Sequence, residues 1–474
     1  MTPALVVGAI LGLIACLALS WRQCVKIVLV MLVFEGAIRK WVLPGMSDLV
    51  YFLKDGVMLL AYCKYYLGAH EFRGHEKTPT LLNLFLATSF GVVLLQSFNV
   101  NLGSPLVGIM GARNYLLYIP LMFLVRDLFR TENELLQFLR MYLLLVLPLG
   151  VLAFQEYNSS ASSALNAYAW GNQTLGKARV SGAIRATGTF SYIAGYAAYL
   201  QTCAAFCMPF LLIRQNFFWL WLLRFVFVCI MGSMLLTGSR GLLLVTLAMF
   251  VGYVILNQDF FKRGLYKRLT VFAVVAFLLV LTFMGPQALR LQKRFTSNTD
   301  LSSRITAAIS DPFEKLGAFG LFAYGSGASY QASEILRRKF NLPSGTRITA
   351  YLEAEPERIL AELGPIGFLF WYGMRVLMIL YLWLTYKRLE RPFLRELALV
   401  AFLLQLITLP GQMVFQITYM VYFWFTCGFV LLLPQIENNE EEFERQFVLA
   451  NSEAIEESER EAERHAEVFG LSDA

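Results

Sequence analysis

The sequence predicts an all-α integral membrane protein of about 12–13 transmembrane helices with one large external loop domain. Three observations carry this reading. Hydrophobic residues make up 57% of the 474 and charged residues only 15%, whereas soluble domains average about 25% charged. Apolar stretches recur that are long enough to cross a ~30 Å hydrocarbon core as helices, and they lack the short polar–apolar alternation of membrane strands. One sizeable polar interval, 286–362, lies between two long apolar segments.

The N-terminus is apolar from Leu5 to Ser20, without a basic leader region or a small-residue cleavage site, so a first membrane helix is expected there rather than a signal peptide. The expected spans are 3–21, 25–42, 47–67, 79–98, 105–125, 134–156, 189–213, 217–237, 240–257, 267–285, 363–386, 394–410 and 415–434. The second and third are interrupted by Glu35, Arg39, Lys54 and Asp55. The chain therefore divides into helices 1–10 over 1–285, the loop over 286–362, helices 11–13 over 363–434, and an acidic tail over 435–474.

Lys and Arg orient the spans. Arg22 and Lys26, Lys64 to Lys77, Arg126 and Arg130, Lys262 to Arg268, and Lys387 to Arg395 fall in alternate connections. These connections and the tail are expected on the cytoplasmic side; the large loop, 157–188 and 237–240 are expected outside. The net charge of +7 conceals an asymmetry: from Gln435 onward there are 13 acids against 3 basic residues, leaving 37 basic against 20 acidic residues in the body. A basic body suits anionic lipid or a diphosphate substrate, or is ordinary loop bias. The seven cysteines lie in or beside apolar segments, and His70, His75 and His465 form no ligand pattern. No protein-held metal is expected, and Cys203 and Cys207 read as packing residues.

Several short stretches carry chemistry beyond spanning a bilayer. Arg185-Ala-Thr-Gly-Thr-Phe190 precedes a small-residue stretch, and Thr237-Gly-Ser-Arg-Gly241 opens an apolar helix with Arg240 at its mouth. An arginine there is costly unless it faces water or a partner. Its planar fork matches phosphate oxygens, and N–H groups at a Gly/Ser-rich helix start add donors for an anion. The alternative is a side chain reaching to a lipid headgroup. Gly325 and Gly327, within Gly320 to Ser329, mark a turn. A helix beginning at Pro356 puts Arg358 and Glu362 on one face. Glu353 and Glu355 then fall just before it, where a partly desolvated carboxylate can serve as general base or a solvated cluster can cap the helix. Arg113 sits inside an apolar span, a functional position by its depth. Glu35, Arg39 and Lys40 are similar, and can also simply pair with one another.

In their order, Arg-x-x-Gly-Thr-Phe, Ser-Arg-Gly opening a helix, Gly-x-Gly in the large loop and Glu-Leu-Gly-x-x-Gly at the re-entry helix resemble the O-antigen ligase/polymerase family over residues 180–385. The resemblance implies a GT-C-like, inverting, metal-independent glycosyltransferase of the bacterial inner membrane, without a cofactor. It would take glycan from undecaprenyl diphosphate at the periplasmic face. Arg185 and Arg240 match motif arginines and would hold the diphosphate with Arg358 and Arg113. Glu353 and Glu355 would be the catalytic carboxylates, supported by Glu362, Gly325 and Gly327. Ligases of this family carry a His where Glu353 stands, and no His lies between His75 and His465. A polymerase of a surface or secreted polysaccharide is therefore expected. Ligase-type transfer to another acceptor, or a lipid-linked oligosaccharide flippase, are the alternatives. Expected partners are the lipid-linked glycan, an acceptor glycan, membrane lipid and chain-length or export proteins of the same pathway, with no nucleic acid.

Overall fold

A computed structural model of the protein describes residues 17–257 and 310–468, except 69–77, 168, 170–178, 181–182, 214, 311, 315–318, 321–322, 349–351 and 353. The expected span 267–285, most of 3–21, the loop residues 286–309 and Glu353 thus lie outside the described residues. Apart from one antiparallel pair, Arg179–Val180 with Ala183–Ile184, the described regular structure is helical.

The longer helices are α1 (Trp21–Ala37), α2 (Ser47–Leu67), α3 (Thr80–Ser97), α4 (Pro105–Leu116), α5 (Leu121–Arg126), α6 (Glu132–Leu144), α7 (Val146–Asn158), α8 (Ile193–Leu212), α9 (Phe217–Leu236), α10 (Arg240–Leu256), α11 (Gln331–Phe340), α12 (Glu355–Arg388), α13 (Pro392–Ile407), α14 (Ile417–Cys427) and α15 (Phe429–Val468). Seven helical stretches among the described residues are long and apolar enough to cross a membrane: Thr80–Ser97, Pro105–Arg126, Glu132–Asn158, Ile193–Leu212, Phe217–Leu236, Glu355–Arg388 and Ile417–Ser458. The chain is in this sense an all-α membrane protein. Helices α1, α2, α10 and α13 coincide with four further expected spans.

Local chemistry explains where these helices begin. Ser20 and Gln23 form a reciprocal capping box at α1, the Thr131 side chain accepts from Glu134 N at α6, and Ser239 accepts from Leu242 N at α10. Each satisfies a backbone donor that the helix leaves open. Proline occupies the first turns of α4, α12 and α13, where its missing N–H is not needed. Helix α12 kinks at Gly364, with φ 72° and ψ 179°, followed by Pro365. The kink separates a short acidic start from the long apolar remainder.

Helix α8 is the centre of the bundle, buried along nearly its whole length and packed by α9, α13 and α14. Helix α12 packs on α3 and α13, and α1 pairs with α2. Where helices cannot gain by hiding apolar surface from water, small residues that let backbones approach do the work. At Gly36 of α1, an added Cβ would lie 2.3 Å from Ser191 N and 2.4 Å from Thr189 O.

The connections gather at two ends. At one, Arg22 Nε donates to Asp127 O (2.9 Å), Gln435 Nε2 to Asp127 Oδ1 (3.2 Å) and Arg391 Nη1 to Glu132 Oε2 (3.3 Å). Glu437 Oε1 accepts from Glu390 N and Arg391 N at 2.8 Å each. The acidic tail is thus a helix continuous with the bundle, its base locked to the 126–132 and 388–391 connections. The other end collects the 38–46 and 98–104 connections, residues 159–167 and 183–192, the 237–239 connection, the described loop residues 323–348 and the turn before α14.

The Gly36 contact sets a first expectation. Gly36→Ala must push α1 away from the 189–191 backbone, an overpacking cost of roughly 1–3 kcal/mol. A thermal unfolding midpoint of the purified variant equal to that of the parent would refute this close approach.

Candidate functional site

A cavity of about 860 Å³ opens at this second end, between the end of α1, the 44–54 segment, the loop into α8, helix α11 and residues 415–418. Its size is that of a small-molecule site. The lining is mixed: Leu32, Phe190, Ile335 and Phe415 supply apolar wall, and Glu35, Arg39, Tyr51 and Lys54 supply polar groups.

The polar groups are there because α1 does not end as an ordinary helix. It passes into a π-helical turn, Ile38–Val42, a geometry that is rare and recurs at functional sites. The turn points both Arg39 and Lys40 inward, leaving them 3% and 4% exposed. Arg39 Nη1 donates to Glu35 Oε1 (3.2 Å) and Ser191 Oγ (3.1 Å), and Nε to Ser47 Oγ (2.9 Å). Lys54 Nζ is 2.7 Å from Glu35 Oε2 and donates to Tyr51 O at 2.6 Å. One carboxylate therefore bridges two cations.

A second pair lies directly behind. Arg113 binds the carboxylate of Asp55, which also accepts from the Tyr118 hydroxyl. Arg113 Nη1 donates to the Tyr51 hydroxyl at 3.1 Å. The Tyr51 ring consequently has Lys54 at 4.1 Å, Arg113 at 4.7 Å and Arg39 at 5.0 Å from its centroid, contacts that strengthen when desolvated. Its hydroxyl meets that of Tyr330 at 3.3 Å. Burial, and then the Tyr51 phenol beside it, push the Tyr330 phenol well above the usual tyrosine range, so Tyr330 stays neutral. Three cations against two carboxylates leave this cluster one positive charge in excess.

The loop into α8 is folded on another buried pair. Glu156 Oε2 accepts from Thr187 N (2.7 Å) and Gly188 N (2.8 Å). Lys40 Nζ, 3.6 Å from Glu156 Oε1, donates to Thr187 Oγ1 (2.8 Å) and Gly188 O (2.7 Å). Lys40 thus pairs across the fold with Glu156, while Arg39 takes Glu35.

The residues singled out by sequence fall into three groups around the cavity. Arg185 donates from Nε to Thr237 O at 2.8 Å, and Ala186 N to Leu236 O at 3.0 Å. This joins the Arg-x-x-Gly-Thr-Phe loop to the turn that presents Arg240, buried at the start of α10. Gly325 and Gly327 adopt φ of 93° and 91°, and the loop they shape is gripped by Glu362. Its Oε1 accepts from Ser329 N and Oγ at 2.8 Å each, and its Oε2 from the Tyr115 hydroxyl at 2.8 Å. The third group braces the segment before α14. Glu355, fully buried, accepts through Oε2 from Met413 N and from Val414 N (2.8 Å), and its Oε1 is 3.5 Å from Arg375 Nη1. Arg358 stacks on Phe415 at 5.2 Å.

None of Arg185, Arg240, Arg358, Arg113, Glu355 or Glu362 is among the lining residues. Arg113, Arg358, Glu355 and Glu362 stand behind the wall. Arg113 supports Tyr51, Arg358 supports Phe415, Glu355 holds 413–415, and Glu362 holds the loop before Tyr330. Sequence reasoning passed over Tyr51, Lys54, Asp55, Glu156 and Arg375 as site members. The signal that could have found them was charge at membrane depth: each of the four ionisable groups interrupts or ends an apolar run. Among the described residues, no three His, Cys, Asp or Glu side chains gather as a metal site would require.

A scan against protein-family models found no match to this chain, and a search of curated proteins found none.

The Glu355–Arg375 pair can be tested for this bracing role. Removing one member of a buried pair costs about 3–5 kcal/mol, whereas replacing both by apolar residues is often neutral. Glu355→Met is expected to destabilise the protein strongly, and the double variant Glu355→Met/Arg375→Met to recover much of the loss. Additive effects in that double-mutant cycle would show that the two groups do not act as a pair.

Proposed function

We propose that the protein is an inverting glycosyltransferase that lengthens a lipid-linked polysaccharide, using an undecaprenyl diphosphate glycan as donor and an acceptor sugar hydroxyl as nucleophile. The observation that carries this reading is the cavity: it is largely apolar with a cation-bearing polar patch at Arg39 and Lys54, and it is walled by the loops that hold the Arg-x-x-Gly-Thr-Phe and Gly-x-Gly motifs. An amphiphilic anion is the ligand such a lining fits. The same reading puts the protein in a bacterial inner membrane with this end external and the tail cytoplasmic.

In the metal-independent reaction that the motif resemblance implies, the acceptor hydroxyl gives its proton to a carboxylate, Glu353. The freed oxygen bonds to the anomeric carbon from the face opposite the leaving group. The carbon–oxygen bond to the diphosphate breaks, and its electron pair goes to the diphosphate. Guanidinium groups offset that growing charge, and one such preorganised donor is worth roughly 3–4 kcal/mol in the transition state. Glu355 is bound up with Arg375 and the 413–414 backbone, which favours Glu353 as base. The carboxylate standing where ligases carry His favours chain lengthening over ligation.

Arg240→Ala and Glu353→Ala, each checked for membrane insertion, are expected to leave single repeat units or short chains when polymer length is assayed. Wild-type chain lengths in both would reject the assignment; full-length polymer stranded on its lipid carrier would instead identify a ligase.

A further inference from the structure

The chemistry that the cavity displays most directly lies away from the motif arginines. Arg39 and Lys54 line it; Arg185 and Arg240 do not. Arg39 is nearly wholly buried, its side chain 4% exposed. It is fixed through Nε by Ser47 and through Nη1 by Glu35 and Ser191. Among the described residues, its Nη2 has no acceptor. A guanidinium held rigid on one edge, with a donor left on the other, is pre-set to receive a second oxygen anion.

Glu35 explains how this survives burial. Its two oxygens divide between Arg39, at 3.2 Å, and Lys54, at 2.7 Å. Placing one carboxylate oxygen on each of two cations is how a phosphate group would also be held. With Arg113 committed to Asp55, the two cations of the cluster that line the cavity, Arg39 and Lys54, share the single carboxylate of Glu35. Much of the remaining lining is apolar and aromatic, with Phe190, Ile335 and Phe415, which suits a hydrocarbon chain, and its other charges, Asp48 and Lys339, pair with each other at 3.0 Å.

We propose that Arg39 and Lys54 are the anion subsite of the cavity, that the anion is a diphosphate carried on an apolar chain, and that Glu35 is a built-in competitor for the same two cations. The incoming diphosphate, with more negative charge than a carboxylate, takes over Arg39 Nη2 and part of the Lys54 and Arg39 contacts. A singly charged headgroup gains too little to displace Glu35, so the carboxylate also selects against ordinary anionic lipid. The assignment deepens the proposed transferase reading and rests on it only for the identity of the chain that bears the diphosphate.

The test is binding to the purified full-length protein in lipid nanodiscs, with inorganic pyrophosphate and farnesyl diphosphate as probes. Farnesyl diphosphate is expected to bind at least about tenfold more tightly than pyrophosphate, because the chain adds apolar burial. Arg39→Gln and Lys54→Gln should each weaken both probes by about tenfold or more, the worth of a charged hydrogen bond. Glu35→Gln should tighten both. Unfolding midpoints identify any variant that is misfolded, and Arg39→Lys, which keeps the charge, should recover part of the loss. Unchanged affinity in Arg39→Gln and Lys54→Gln overturns the subsite, and weaker binding in Glu35→Gln overturns its role as competitor. Equal affinity for the two probes overturns the lipid-borne ligand in favour of a free anion. Binding lost in Arg240→Ala but retained in Arg39→Gln returns the anion to the motif arginines and leaves the transferase reading standing. Binding as expected, with no polymer formed from a lipid-linked donor, sinks that reading and leaves the subsite.

Discussion

A charge among apolar helices must be paired, and most of this structure at its polar end follows from that. The pairs Arg39–Glu35–Lys54, Arg113–Asp55, Lys40–Glu156 and Arg375–Glu355 all lie at or just below that end, each nearly or fully buried. Desolvating such groups is expensive, and their attraction offsets the expense only when the remaining donors and acceptors are also met. Backbone meets part of this need: Glu156 Oε2 takes the 187 and 188 N–H groups, and Glu355 Oε2 takes those of 413 and 414, while Glu355 Oε1 faces Arg375 at 3.5 Å by charge alone. The Lys40–Glu156 and Arg375–Glu355 pairs therefore also hold connections. Loops that would otherwise be free are pinned at fixed distances around one cavity.

This arrangement separates two kinds of polar residue. Those that face the cavity hold one another, and some are braced from behind as well. Tyr51 is the clearest case, with a cavity surface, three cations around its ring and a hydroxyl shared between Arg113 and Tyr330. Rigid bracing of this sort fixes where the cations and their shared carboxylate Glu35 stand in the wall. It also explains why short sequence motifs and cavity lining do not coincide. Gly325 and Gly327 have their unusual backbone so that Ser329 can reach Glu362, and that grip sets where Tyr330 sits.

The opposite end is built differently. Asp127, Glu132 and Glu437 bind side chains and backbone of neighbouring connections, and the exposed acidic length of α15 extends from that anchorage. The charge asymmetry of the chain thus becomes spatial, with the net-positive cluster on one side and the acidic helix on the other.

Composition and periodicity alone determined the class of the protein and the position of its helices, because apolar length and capping chemistry are local properties. Seven expected spans recur as helices able to cross a membrane, and four more coincide with shorter helices or one interrupted by charge. Local sequence also marked Arg113, Arg185 and Arg240 as residues too costly to be idle, and the packed structure uses Arg113 and Arg185, together with Glu362, as fasteners. Partnership was not legible. That Lys40 reaches Glu156 rather than Glu35, that Lys54 shares Glu35 with Arg39, and that Glu355 holds a segment 58 residues away depend on a π-helical turn and on which helices meet. Those are decided by the packing of the whole bundle, since pairing energy between buried charges depends on distances that no stretch of chain sets by itself.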